Sequence, residues 1–267
     1  MDRDIILDVK GLKTSFYGNE GEIRAVDGVS FTLERGKTLG IVGESGSGKS
    51  VTALSILGLL ERTTGKVIAG EVWFKGVDIL KNTKKEMRNI RGSGIAMIFQ
   101  ESMTSLNPTM TCGEQIAEMI RFRQKVEYQK TNGKEAWKKA VEMLDLFGIP
   151  EPEKMAKCYP FELSGGMHQR VMIGISLACN PELLIADEPT TSLDLITQAQ
   201  ILEVIKSWQR EKGTSLIINT HDFGVIAEMC DDVAVMHEGK IVEVADVDTL
   251  FNQPKHWKTI ELLNNRL

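Results

Sequence analysis

The sequence predicts an α/β fold: a mostly parallel sheet flanked by helices, with an added antiparallel β layer and an inserted helical subdomain. Three features predict it. First, "TLGIVG" at 38–43, "GIAMIFQ" at 94–100, "PELLIADEP" at 181–189 and "SLIINTHD" at 215–222 each contain an apolar run of strand length, suited to strands buried on both faces. Second, these runs alternate with helical apolar spacing in "KSVTALSILGLL", "TQAQILEVIKSWQREKG" and "FGVIAEMC". Third, Gly113 to about Phe147 is helix-rich: "EQIAEMIRFRQKV" and "EAWKKAVEMLDLFGI" are separated by the polar, glycine-containing "YQKTNGKE".

The remaining elements complete this picture. From Ile5 to Leu33, short alternating or apolar runs broken by "YGNEGE" and "RG" read as an antiparallel layer with hairpin turns, and "EVWFKGVDIL" at 71–80 as another edge strand and turn. Residues 1–267 read as one domain, in which 101–175 approximates the helical subdomain. No repeat at solenoid periods and no low-complexity linker interrupts it.

Composition narrows the function. The chain has 267 residues, 42% hydrophobic, which is enough for a sizeable core, and a formal net charge of -5, which gives no basic field to attract nucleic acid. No apolar run reaches the roughly 18–20 residues of a membrane span, and the acidic start "MDRDIILDVKGLK" has no signal-peptide core, so a cytosolic chain is expected. Cys112, Cys158, Cys179 and Cys230 are widely spaced, and reduced thiols are expected rather than a zinc or redox pair.

The chemistry is concentrated in a few short stretches. "GESGSGKS", Gly43 to Ser50, fills the template G-x-x-x-x-G-K-[ST] between a predicted strand and helix. Gly43, Gly46 and Gly48 let the backbone fold tightly so that its N–H groups, with those of Glu44, Ser45, Ser47 and Val51, converge on phosphate at the positive end of a helix. Lys49 can neutralise the β- and γ-phosphates of a triphosphate, and Ser50 can ligate Mg²⁺. "LLIADEP" ends a strand with Asp187, a second Mg²⁺ anchor, followed by Glu188, which can polarise the attacking water. His221 can donate to a γ-phosphate oxygen, and Gln100 can reach the metal or the water.

A second glycine-rich turn is harder to place. Ser164, Gly165 and Gly166 precede the helical pattern "MHQRVMIGISLAC", so they mark another helix start. Ser164 is there either as a plain N-cap or as part of a cradle for the phosphate of a nucleotide held elsewhere.

These stretches together resemble the nucleotide-binding subunits of ABC transporters. The phosphate loop 43–50, Gln100, "LSGGM" at 163–167, "LLIADEP" at 183–189, "SLD" at 192–194 and His221 stand in that family's order. The resemblance implies a P-loop NTPase core of the ABC ATPase fold, with ATP and Mg²⁺ as cofactors. It also implies head-to-tail pairing, in which Ser164, Gly165 and Gly166 of one subunit cover the γ-phosphate on the partner's loop. Asp194 joins the nucleotide site by the same resemblance, and Phe16 or Tyr17 lies where the family stacks adenine on a ring.

The wording of "MTSLNPTMTCGEQIAE", "LSGGMHQRVMI" and "ACNPELLIADEPTTSLD" is similar to the ATPases of oligopeptide, dipeptide and nickel importers. The expected function is an ATP-hydrolysing subunit that energises uptake of oligopeptides or dipeptides, with a nickel complex as alternative cargo. The implied partners are a second, similar ATPase, two membrane permease subunits and, indirectly, an external binding protein, at the cytoplasmic face of the cell membrane. A soluble ABC ATPase acting on DNA or ribosomes is disfavoured: the long coiled-coil insertion of the one and the tandem cassettes of the other are missing. A non-hydrolysing nucleotide-gated module is disfavoured by Glu188 and His221.

The sequence departs from the subfamily at His168, where arginine is usual, at Phe161, where histidine is frequent, and at Glu101–Ser102, where Asp-Pro is common. Without the tail cysteines of some relatives, no iron–sulfur cluster is expected.

Overall fold

The computed structural model describes residues 4–18, 21–60, 64–100, 105–191 and 193–264. The Glu101–Ser102 departure, Met103 and Thr104 of the subfamily wording, and Ser192 of "SLD" lie outside the described residues.

In chain order the elements begin with β1 (Ile5–Gly18), β2 (Gly21–Glu34), β3 (Thr38–Val42), α1 (Lys49–Ile56), β4 (Gly65–Phe74) and β5 (Val77–Asp78). There follow α2 (Lys84–Ile90), β6 (Ile95–Ile98), α3 (Cys112–Tyr128), α4 (Gly133–Leu146), α5 (Pro152–Met155), α6 (Gly165–Leu177), β7 (Leu183–Asp187) and α7 (Leu195–Lys212). The last are β8 (Ser215–Thr220), α8 (Phe223–Met229), β9 (Asp232–His237), β10 (Lys240–Asp246), α9 (Val247–Asn252) and α10 (Trp257–Asn264). These elements divide into two compact units, Met1–Met87 with Ser215–Leu267, and Arg88–Thr214.

In the first unit, β1 pairs antiparallel with both β2 and β4, and the sheet runs β2-β1-β4-β5. The edge position expected for "EVWFKGVDIL" is therefore wrong for its first half: β4 is internal, and within this stretch it is the two-residue β5 that lies at a sheet edge, opposite the β2 edge. The reason is that the chain turns back after Phe74 and Val77–Asp78 pairs with β4 on the side away from β1, while β4 itself begins at Gly65, six residues earlier than the sequence pattern suggests, and pairs along most of β1. The register slips between Lys10 and Lys13 of β1, and Gly70 of β4 sits opposite this bulge at φ +104°. A Cβ on Gly70 would stand 2.6 Å from the Leu12 Cα. Gly70→Ala is expected to lower stability by roughly 2 kcal/mol, combining backbone strain with a clash that no side-chain rotation relieves. Thermal unfolding checks this: the midpoint should fall by several degrees, and an unchanged midpoint would contradict it.

The other strands of this unit are joined differently. The five residues of β3 are all buried, and the strand pairs parallel with β8 and β9, while β10 closes antiparallel on β9. Pairing of Val42 with Thr220 puts the ends of β3 and β8 side by side, so the loop after Val42 and His221 leave from neighbouring strand ends. Val42, Phe223, Ile226, Val233, Val235 and Leu250 form the core beneath them. Helix α1 stops at Ile56, short of the expected residue 60, where Gly58 takes φ +61°.

In the second unit, β6 and β7 pair in parallel and both are fully buried. Helices α3 and α4 reach further into the expected polar linker, leaving only 129–132 between them, because Thr111 and Asn132 cap their first turns and Gln129 ends α3 in the left-handed region. A Cβ on Gly113 would meet Ala156 at 2.7 Å, so this glycine permits the close approach of α3 to the end of α5. No helix among the described residues is long and apolar enough to cross a membrane.

Candidate active site

The segment between β3 and α1 is built to receive an anion. Gly46 and Gly48 take φ +78° and +107°, closed to most side chains. A Cβ on Gly43 would stand 2.2 Å from the Met236 carbonyl oxygen, and one on Gly48 2.5 Å from that of Ala25. At Gly46, by contrast, the same Cβ would meet nothing within 4 Å, so this turn faces open space. The first turn of α1 begins without a side-chain cap on its N–H groups. The Ser47 hydroxyl is buried without a hydrogen-bond partner. Lys49 is 4% exposed and its Nζ donates to the carbonyls of Gly43 (2.7 Å) and Glu44 (2.9 Å). A buried ammonium ringed by backbone, beside an orphaned hydroxyl and an uncapped helix start, fits a phosphate chain.

The same unit carries three further sets of expected residues. Ser50 and Val51 are half-buried in the first turn of α1. His221 is exposed directly after β8, and the Thr220 hydroxyl accepts the N–H of Asp222 to shape the turn behind it. At the end of β1 the Phe16 ring is half-buried, while Tyr17 is 44% exposed with the Lys66 ammonium 6.0 Å from its ring centroid.

In the Arg88–Thr214 unit, Asp187 is the last residue of β7 and is buried, 4% exposed. Glu188, next in the chain, has φ +48°, an uncommon conformation for a residue with a side chain and one that collects at functional turns. Its Oε2 accepts from the Thr191 hydroxyl at 2.8 Å and from Gln100 Nε2 at 3.2 Å. The structure thus joins Gln100, expected to reach the metal or the water, to Glu188, expected to polarise that water. Behind them, the buried Gln169 on α6 donates through Nε2 to the Pro189 carbonyl at 2.6 Å, pinning the chain just past Glu188. Gln169 was not among the expected residues; its sequence signal is an amide on the otherwise apolar face of "MHQRVMI".

Ser164 is the N-cap of α6. Its hydroxyl accepts from Met167 N at 3.4 Å, and its carbonyl receives both His168 N (2.9 Å) and the His168 ring Nδ1 (3.0 Å). His168 is therefore buried against its own helix start. Ser164 and Gly165 remain exposed and Gly166 half-buried, so capping leaves this helix end open on its outer side. Phe161, 74% exposed, stacks on Tyr159 at 5.6 Å. Asp194 caps α7, accepting from Ile196 N, Thr197 N and the Thr197 hydroxyl, and that hydroxyl bond leads in holding its carboxyl below the usual range.

The oxygen donors Ser50, Asp187 and Gln100 are of the hard type that Mg²⁺ selects. Cys112 and Cys179 are buried free thiols, each pushed up to about 11 by burial, and they are packing residues.

Comparison with known proteins fits this arrangement. The sequence profile described as "ABC transporter" matches residues 26–191. The chain belongs to the ABC transporter family. A "Probable peptide ABC transporter ATP-binding protein y4tR" of Sinorhizobium fredii is 52% identical over 98% of this chain and 77% of its own length. The "Oligopeptide transport ATP-binding protein OppD" of Bacillus subtilis is 51% identical over 97% of this chain and 71% of its own, and the "Dipeptide transport ATP-binding protein DppD" of the same organism 48% over 97% and 76%. Among solved structures, a dimeric post-hydrolysis state of the ATP-binding cassette MJ0796 bound to ADP and Pi superposes with a TM-score of 0.80, at 29% identity over 90% of this chain and 98% of that one. The ABC ATPase fold expected from the sequence is thus the fold found, and the chain is an ABC-type ATPase.

Proposed function

We propose that this ABC ATPase powers uptake of oligopeptides or dipeptides through a membrane importer. The observation that carries the reading is the loop from Gly43 to Ser50, with its open glycine turn, orphaned Ser47 hydroxyl and buried Lys49. The peptide assignment rests on relatives near 50% identity whose names specify peptide, oligopeptide or dipeptide transport.

In this mechanism the loop amides and Lys49 hold the β- and γ-phosphates, and adenine stacks at the end of β1, where Tyr17 offers a more exposed face than Phe16. Ser50, Asp187 and Gln100 would hold Mg²⁺, which when bound neutralises charge on the phosphate oxygens. Glu188, oriented by Gln100 and Thr191, accepts a proton from the attacking water as the water oxygen bonds to the γ-phosphorus and the bond from that phosphorus to the β–γ bridging oxygen breaks, leaving ADP and inorganic phosphate. His221 donates to a γ-phosphate oxygen and keeps the water in line.

The open end of α6 is assigned to the nucleotide of a second ATPase subunit, of a similar but different chain, with Asp194 at that contact. Two permease subunits and, beyond them, a substrate-binding protein complete the importer at the cytoplasmic face of the cell membrane. Ser164→Arg is expected to leave ATP affinity of the isolated chain within about twofold and to cut assembly-dependent ATPase activity at least tenfold, because the serine faces another subunit's phosphate. Loss of ATP binding by the isolated variant would contradict this placement. Transport itself is read by labelled-peptide uptake into proteoliposomes carrying the assembled complex: accumulation that requires ATP and is absent with Lys49→Ala supports the reading, and ATP-independent or absent uptake of every peptide overturns it.

A further inference from the structure

We propose that Lys258, on the carboxy-terminal helix α10, is a positioning residue for nucleotide binding: it neutralises and anchors Glu44 of the phosphate-binding loop, and so sets the affinity for polyphosphate. The inference rests on the reading of residues 43–50 as the loop that holds ATP.

Glu44 contributes to that loop in two opposed ways. Its backbone carbonyl supports the loop, accepting from Lys49 Nζ at 2.9 Å and from Ser47 N at 3.2 Å. Its carboxylate, however, places a negative charge next to the segment that must receive a triphosphate, and like charges at such range repel by an amount that matters to affinity. Lys258 Nζ meets this carboxylate at 2.8 Å and the Glu261 carboxylate at 3.1 Å. The lysine side chain is only 7% exposed, whereas Glu44 is 50% and Glu261 41% exposed, so a covered ammonium meets two carboxylates that still reach solvent. Consistent with a strong pairing, the Lys258 hydrogen bond holds the Glu44 carboxyl below the usual carboxylate range, and the Glu44 hydrogen bond raises the lysine.

The lysine is delivered by a rigid path. Glu243 on β10 accepts from Lys255 N (2.8 Å), His256 N (2.9 Å) and the Thr259 hydroxyl (2.5 Å), fixing the start of α10. The His256 ring Nδ1 accepts from Lys258 N at 3.2 Å. Trp257 packs edge-on against His237 at 5.5 Å, and the Lys258 ammonium lies 5.6 Å from the Trp257 ring centroid. His237 closes β9, and the preceding residue, Met236, is the one whose carbonyl lies against Gly43. The tail helix is thus tied to the loop through β9 and β10 and, separately, through the Lys258–Glu44 pair. Lys258 itself makes four of these contacts, to the Glu44 and Glu261 carboxylates, the His256 ring and the Trp257 ring, and the first of them brings its charge to the loop.

The test is equilibrium binding of ATP and ADP to the full chain and its variants. Lys258→Met is expected to weaken ATP binding about tenfold and ADP binding less, because an uncompensated Glu44 repels the more highly charged nucleotide more strongly. Adding Glu44→Gln to Lys258→Met should restore ATP affinity to within about twofold, and Lys258→Arg should retain it. A merely structural lysine would give equal losses for ATP and ADP with no rescue by Glu44→Gln, and that result overturns the proposal, as does unchanged ATP affinity in Lys258→Met. If the wild-type chain bound no ATP, the phosphate-loop reading would itself fall, which is distinct from wild-type binding with an indifferent Lys258→Met.

Discussion

Replacing Lys49 with alanine is expected to abolish ATP binding, with at least a 100-fold rise in Kd, about 3 kcal/mol or more. Two losses combine. The ammonium is the buried positive charge of the loop, 4% exposed, and its bonds to a triphosphate would be charge-assisted. It also ties together the carbonyls of Gly43 and Glu44, so alanine leaves those oxygens without this donor and loosens the loop. Isothermal titration with ATP on a variant that melts near the wild type checks the claim. Unchanged affinity would remove the loop from the nucleotide site.

Glu188→Gln should have the second large effect, of another kind. ATP binding should persist while phosphate release falls 100- to 1,000-fold, about 3–4 kcal/mol in barrier, because glutamine fills the same volume but cannot take the proton of water. The bonds from Thr191 and Gln100 reach Glu188 Oε2, and a glutamine carbonyl oxygen can accept both, so the geometry should survive. With hydrolysis blocked, the ATP-bound subunits should accumulate as a closed dimer, visible by light scattering. Full turnover in this variant would remove Glu188 as the base.

Much of this was legible in the sequence for physical reasons that differ by element. The strands β3, β7 and β8 are buried along their whole length, so nothing but apolar runs could occupy them, and their ends locate Gly43, Asp187 and His221. The glycine-rich turn at 43–50 was legible because its backbone conformation demands glycine at Gly46 and Gly48. The second glycine turn was ambiguous in the sequence and is dual in the structure: Ser164 does cap α6, and that end is still exposed.

Other features were hidden because they depend on contacts distant in sequence. The internal position of β4 follows from its pairing with the bulged β1 on one side and the short β5 on the other, and the distant β1 partner is specified by no local pattern. Gln100 meets Glu188 across 88 residues and Lys258 meets Glu44 across 214. The positive φ of Glu188 is likewise imposed by the turn that follows β7, since glutamate gives no local preference for it. Phe161 and Tyr159 form an exposed aromatic stack whose partner chemistry sequence spacing alone does not define.

The most direct test is steady-state ATPase activity of this subunit assembled with its partner ATPase and two permease subunits, with and without the binding protein loaded from a panel of peptides and a nickel complex. The account predicts a rate that rises with peptide-loaded binding protein and vanishes in Lys49→Ala. A rate indifferent to every loaded binding protein, from an intact assembly, would contradict peptide import while leaving ATP hydrolysis in place.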